Sequence, residues 1–330
     1  MKITIVGLGA VGGLLAVRLA QAGHVVSALA RGATLQAVRE RGLALVAEGR
    51  RSRASLQAAD NAAALGEQEL VIIALKAQTL PALAPSLAPL LSADTVVLTA
   101  MNGVPWWFLE TPALAQVLSP AERRLTSVDP DGRIAASLPI EQVLGGVVHL
   151  TARVEQTGEV VHGFGNRLIV GEPCGGLSPR VHAVAEALRS GGFTVEESAD
   201  LRHDLWFKLW GNMTTNPVSA LTGATADRIL DDPFVAAFCL RAMAEAAAVG
   251  EKIGCPIAQS GEERHEVTRR LGAFKTSMLQ DAEAGRPLEL DALVGAVVEI
   301  GRKVGVATPN IDALLGLTRL MANTRGLLPR

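Results

Sequence analysis

The sequence predicts an α/β protein: a doubly wound parallel sheet with an added antiparallel edge, followed by an all-helical C-terminal domain. Three observations carry this reading. The first half alternates short β-rich runs with helical stretches, the order of a parallel sheet with right-handed crossovers. From 141 the strands become shorter, with polar alternation and glycine-rich turns. From about 200 onward the apolar spacing is almost wholly helical. A chain of 330 residues is long enough for two domains. The boundary is placed at 199/200, giving domains 1–199 and 200–330.

The elements follow in order. "KITIVG" (2–7) reads as a buried strand. Residues 10–22 carry helical spacing at Leu14, Leu15, Val17 and Leu19, and Gly23 is placed to end that helix. "HVVSALA" (24–30) is a second strand. "LALVA" and "ASLQAA" flank the charged stretch "EGRRSR", which predicts a hairpin around 43–59. "ELVIIALKA" (69–77) and "DTVVLTAMNG" (94–103) are further strands, with a helix around 79–91 between them. The segment from 141 predicts antiparallel strands added to the sheet edge, then a helix over 179–190 and the strand "FTVEES". Helices are expected over 200–221, 232–252, 260–284, 288–304 and 310–323. Gly254, Gly285-Arg286-Pro287 and Thr308-Pro309 punctuate them. The final "RGLLPR" reads as a loose tail.

Composition narrows the function classes. Hydrophobic residues make up 49% and charged residues 19%, which is ordinary for a globular protein. The net charge of −2, with both signs interspersed, leaves no electrostatic footprint for nucleic acid. Cys174, Cys239 and Cys255 are odd in number and lack metal-ligand spacing, so they read as free thiols in a reducing compartment. No metal site is expected. The apolar N-terminus carries glycine spacing and Arg18 instead of signal-peptide features. No window reaches about 18 uninterrupted apolar residues, so no membrane span is predicted. These points lead us to expect a cytoplasmic protein without nucleic-acid or membrane partners. A homodimer is compatible with the sequence but is not specified by it.

Gly7, Gly9 and Gly12 form G-x-G-x-x-G between a predicted strand and a predicted helix. The first glycine permits the tight turn, the second admits a pyrophosphate, and the third lets helix and strand pack closely. Leu8, Ala10 and Val11 complete this loop, whose helix start offers free N–H groups and partial positive charge. The sheet is therefore read as Rossmann-type. An NAD site usually places an acid at the end of the second strand. Here "ALARG" places Arg31, which suits a 2′-phosphate and predicts NADP(H). Lys76 and Asn102 end two later strands on the edge that faces the ligand crevice.

"LWFKLWGNMTTNP" (205–217) sets Lys208 among aromatic residues. At 100° per residue, Lys208, Asn212 and Asn216 share one helical face. Hydride delivery to a ketone develops charge on oxygen, and an ammonium can stabilise that charge and donate the proton. Amides on the same strip can orient substrate. Ser277, Asp281, Glu289 and Asp291 form a second polar set.

Together these residues resemble the ketopantoate reductase (2-dehydropantoate 2-reductase) family nearly end to end. The specific parts are "GLGAVG", Arg31, "LKA" at 75–77, "NG" at 102–103, "LWFKLWGNMTTNP", "TSMLQD" at 276–281 and "ELD" at 289–291. The resemblance implies NADPH-dependent reduction of ketopantoate to pantoate, in a cleft between a Rossmann domain and a helical domain. It implies that Lys208 is the general acid and Glu289 its carboxylate partner. Asn212, Asn216 and Ser277 would orient substrate. Lys76 would contact cofactor, as would Asn102, which would also reach substrate. Arg31 would select NADP. One position departs from the pattern: Phe274 stands where the family often has an asparagine. "NGVPWWF" also brings three bulky aromatics next to Asn102. Both features leave room for another branched or aromatic 2-oxo acid as substrate. A non-catalytic NADP-binding sensor is the reading from another class, and it would need neither Lys208 nor Glu289.

Overall fold

The computed structural model describes residues 1–270 and 272–329. Leu271, inside the helix expected over 260–284, and Arg330, the end of the expected tail, lie outside the described residues. The chain forms two compact units: residues 1–102 with 131–201, and residues 103–130 with 202–330.

The first unit holds strands β1 (Lys2–Val6), β2 (Val25–Leu29), β3 (Leu43–Ala47), β4 (Arg50–Ala54), β5 (Gln57–Ala59) and β6 (Leu70–Ile73). It continues with β7 (Val96–Thr99), β8 (Val143–His149), β9 (Ala152–Gln156), β10 (Glu159–His162), β11 (Arg167–Gly171) and β12 (Thr194–Ser198). The larger sheet runs β12-β11-β8-β7-β6-β1-β2-β5. All pairings from β5 through β8 are parallel, in the doubly wound order whose chain reversal lies between β1 and β6. β11 adds antiparallel to β8, and β12 adds parallel to β11.

Three details of this unit differ from the sequence reading. β9 and β10 do not extend the large sheet. They join β3 and β4 in a separate sheet, ordered β4-β3-β10-β9. Helix Ala10–Gln21 explains why. It buries Gly12 through Val17 and Leu19, and a Cβ at Gly13 would meet Val160 of β10 at 2.6 Å. That helix is apolar nearly all round, so it needs a second cover besides the large sheet. The hairpin turns at Glu48–Gly49, both at positive φ, so most of "EGRRSR" is strand β4 and not turn. "QAA" then leaves the hairpin to pair with β2. The helix expected over 79–91 is a short α-turn followed by 3-10 helix over Ala84–Leu90, because Pro85 and Pro89 interrupt the ladder.

The second unit contains helices Leu201–Thr222 (its first residue assigned to the first unit), Ala226–Asp231, Pro233–Lys252, Gly261–Arg269, Ser277–Glu283, Ala296–Lys303 and Pro309–Thr324. The stretch expected as one helix over 260–284 is therefore two. Pro233–Lys252 is long and apolar enough by composition to cross a membrane. Here Cys239, Ala242, Met243, Ala246, Val249 and Gly250 are buried in the unit's core. Its Glu245 accepts bonds from Asn310 N and Ile311 N at 3.0 Å, capping the last helix.

The single boundary at 199/200 has no counterpart to the excursion of 103–130. Its physical reason lies in aromatic burial and two backbone docks. Trp106, Trp107 and Phe108 are buried, and Phe108 stacks on Trp206 with ring centres 5.8 Å apart. Arg202 donates to Phe108 O at 2.8 Å and to Ile253 O at 2.9 Å. Residues Asp291–Gly295 form a π turn, and Ala292 O accepts from Val104 N at 2.9 Å. Gly103, at φ +89°, is needed there, since a Cβ would meet Ala292 O at 2.8 Å. Further along, Thr126 N and Ser127 N each donate to Glu299 at 2.8 Å. Burial pushes the Glu299 carboxyl up, and these donors more than offset it, leaving it below the ordinary value. The aromatics of "NGVPWWF" are thus core of the second unit, and they give no support to a more apolar substrate.

Candidate active site

Register places one set of candidates at a single sheet edge. Leu29 pairs with Val6, Val6 with Ile73, and Ile73 with Thr99. These four residues are the C-terminal ends of β2, β1, β6 and β7. The chain continues from them into Arg31, the loop Gly7–Gly12, Lys76 and Asn102, each reached within three residues. Gly7 has φ +95°, and a Cβ there would meet Ala74 O at 2.9 Å. A Cβ on Gly12 would meet Gly7 O at 1.9 Å, so only glycine allows the strand and helix to approach this closely. Gly9 is different. It is exposed, and a Cβ there would meet no protein atom within 4 Å.

Gly9 is also the N-cap of helix Ala10–Gln21, with no side-chain cap and no acid in the first turn. A helix start left this way favours an anion. Leu8 is buried, while Ala10 and Val11 are half-buried along the loop. Arg31 is exposed and extended at the start of helix Gly32–Arg41. Lys76 starts a 3-10 turn whose Thr79 N and Oγ1 bond to its carbonyl at 2.9 and 2.8 Å. Lys76 and Asn102 are both half-buried and both engaged in the structure. These residues fit a dinucleotide phosphate chain and a 2′-phosphate.

The second set lies on helix Leu201–Thr222. Its core face carries Trp206, Leu209, Trp210 and Met213, all buried. Trp210 Nε1 donates to Met243 O at 2.8 Å. The adjoining face carries Lys208, Asn212 and Asn216 along about two turns. Lys208 and Asn212 are half-buried and Asn216 is buried. Burial lowers the Lys208 ammonium from the ordinary 10.5 to about 8, and the Glu289 carboxylate opposes that shift. Glu289 is therefore near enough to act on the lysine charge. It stands two residues before the π turn Asp291–Gly295, and π turns often occur at functional positions.

The rest of the second polar set separates. Asp281 pairs with Arg286 at 2.8 Å and Asp291 with Arg319 at 2.6 Å, which gives both a structural use. Ser277 is exposed at the first position of helix Ser277–Glu283. Its neighbour Thr276 is the buried cap, accepting from Leu279 N at 3.1 Å. Phe274 is half-buried, and its carbonyl accepts from Ala226 N at 2.9 Å.

One residue went unread in the sequence. Arg264 packs against the strip-bearing helix at Gly211, where a Cβ would meet its Nε at 2.7 Å. The sole local sign was a glycine inside an otherwise strong helix.

Comparisons with known proteins bear on the fold and the family. Residues 3–174 match the family described as "Ketopantoate reductase PanE/ApbA", and residues 200–322 match its C-terminal part. The chain is 44% identical over 328 residues to a 2-dehydropantoate 2-reductase of Mesorhizobium japonicum, covering 99% of each. A solved Ralstonia solanacearum protein assigned to the ketopantoate reductases is similar with TM-score 0.94 and 57% identity, over 99% of both chains. A D-mandelate dehydrogenase solved with NADH and anilino(oxo)acetate shares the fold, at TM-score 0.84 and 22% identity, over 99% of this chain and 100% of that one.

Proposed function

Because the chain belongs to the ketopantoate reductase family, we propose that it reduces ketopantoate to pantoate with NADPH, using Lys208 as general acid. The observation that carries this is the lysine itself: an ammonium lowered to about 8, opposed by the Glu289 carboxylate. A bound NADPH supplies the hydride to the carbonyl carbon. Lys208 gives its proton to the carbonyl oxygen, so no free alkoxide has to form. An acid of pKa about 8 is still largely protonated at neutral pH and gives up its proton more readily than an ordinary lysine.

Glu289 keeps the ammonium charged within its apolar surroundings. Asn212 and Asn216 orient substrate along the strip, with Ser277 and Asn102 as further contacts. On the cofactor side, Gly7–Gly12 holds the pyrophosphate and Arg31 takes the 2′-phosphate, while Lys76 and Asn102 complete the edge. Only NADPH carries that 2′-phosphate, which makes Arg31 the selector. The protein acts in the cytoplasm, in keeping with three cysteines that form no disulfide. A homodimer is its proposed assembly. An assay with NADPH and a panel of 2-oxo acids tests the whole reading. Ketopantoate should give the highest kcat/KM, and absence of turnover with it would overturn the assignment.

A further inference from the structure

Arg264 is a half-buried cation. Its Nε is buried and has no hydrogen-bond partner. Among the described residues no carboxylate pairs with it, and burial alone lowers its pKa. Two of the three acids on its own helix are committed elsewhere: Glu263 to the cap at Ser260 N (2.9 Å) and Glu266 to Arg269 (2.7 Å). The guanidinium carbon lies 5.3 Å from the centre of the Phe207 ring. That π face offsets only part of the cost of desolvating a charge.

A second local cost coincides with the first. Gly211 sits in the interior of a 22-residue helix, where glycine is a poor choice. Its missing side chain is what admits the guanidinium, since Nη2 would lie 2.9 Å from a Cβ there. Gly211 is three residues from Lys208 and next to Asn212. Arg264 therefore lies on the stripe beside the Lys208–Asn212–Asn216 strip. Positions i and i+3 stand about 5–6 Å apart at Cβ, a span that one small molecule with adjacent carbonyl and carboxylate can bridge.

We propose that Arg264 binds the carboxylate of the substrate and sets the demand for a 2-oxo acid over a neutral ketone. The inference rests on the reading of the chain as a 2-oxo-acid reductase. A guanidinium fork matches a carboxylate in two parallel bonds, and such bonds are strong where water is excluded.

The test compares wild type with Arg264→Met and Arg264→Lys on ketopantoate and on its neutral primary amide. Arg264→Met should raise KM for the acid roughly ten- to a hundredfold, with little change in kcat and little change for the amide. Arg264→Lys should restore part of the loss. Oxamate, a small 2-oxo carboxylate, should raise the melting temperature of wild type but not of Arg264→Met. Gly211→Ala keeps the charge but displaces the fork, so it should reproduce the KM effect if the Met variant folds poorly. Equal losses on acid and amide, or unchanged KM together with an unchanged oxamate shift, would overturn the proposal. A wild type that binds oxamate but does not reduce ketopantoate would break the functional reading and leave Arg264 as a carboxylate site.

Discussion

The glycine loop after β1 and the lysine strip of helix Leu201–Thr222 are built on opposite plans. The loop works by removing side chains, so backbone N–H groups and open space do the binding. The strip works by adding polar side chains to a helix whose other face is tryptophan, leucine and methionine. A site made of backbone tolerates changes in neighbouring side chains but no Cβ at its tight points. A site made of side chains depends on the apolar packing that shifts their charge. The two should therefore fail differently when altered.

The largest effect is expected at Lys208. Lys208→Ala should lower kcat at least about a hundredfold, while NADPH affinity, measured by fluorescence titration, stays near wild type. A near-normal kcat would return Lys208 to a side chain reaching for water. Arg31 should show the reverse pattern. Arg31→Ala should weaken NADPH binding roughly ten- to a hundredfold and leave NADH little changed. Equal loss with both cofactors would mean that Arg31 supports the fold or the ribose.

The pH profile gives a third comparison. A lysine lowered to about 8 holds its proton below that value and loses it above. The rate of reduction should therefore be flat below pH 8 and fall about tenfold per unit above it. A plateau extending to pH 10 would show an ordinary lysine. The last comparison lies inside the loop. Gly12→Ala drives a Cβ into Gly7 O and should cost on the order of 1–3 kcal/mol in urea unfolding. Gly9→Ala meets no protein atom, so its stability should stay within about 0.5 kcal/mol, while NADPH affinity falls. Matching stability losses would show that both glycines serve packing alone.

The two plans also explain what the sequence disclosed. Gly7, Gly9 and Gly12 are legible because fixed spacing after a strand has a fixed geometric meaning. The Lys208–Asn212–Asn216 strip is legible because helical periodicity places it. Arg264 was hidden, since "EERHEVTRR" reads as a solvated helix and nothing within it says that one of its arginines turns in against Gly211. The place of β10 was hidden for a related reason. "EVVH" shows that one face is covered, but only the nearly all-round apolarity of helix Ala10–Gln21 says by what. Trp106, Trp107 and Phe108 announce burial in the same way without naming their partners.

Those three aromatics also set an order of events. Translation delivers residues 103–130 long before Asp291–Gly295, whose Ala292 carbonyl receives Val104 N. Glu299, which receives Thr126 N and Ser127 N, emerges later still. On the ribosome this stretch therefore waits as an exposed, greasy loop, even after β12 has completed the large sheet. It can settle fully only once Ala292 and Glu299 have emerged. Assembly of the second unit is tied to the emergence of its late helices, and a nascent chain halted before them carries its stickiest residues with nowhere to put them.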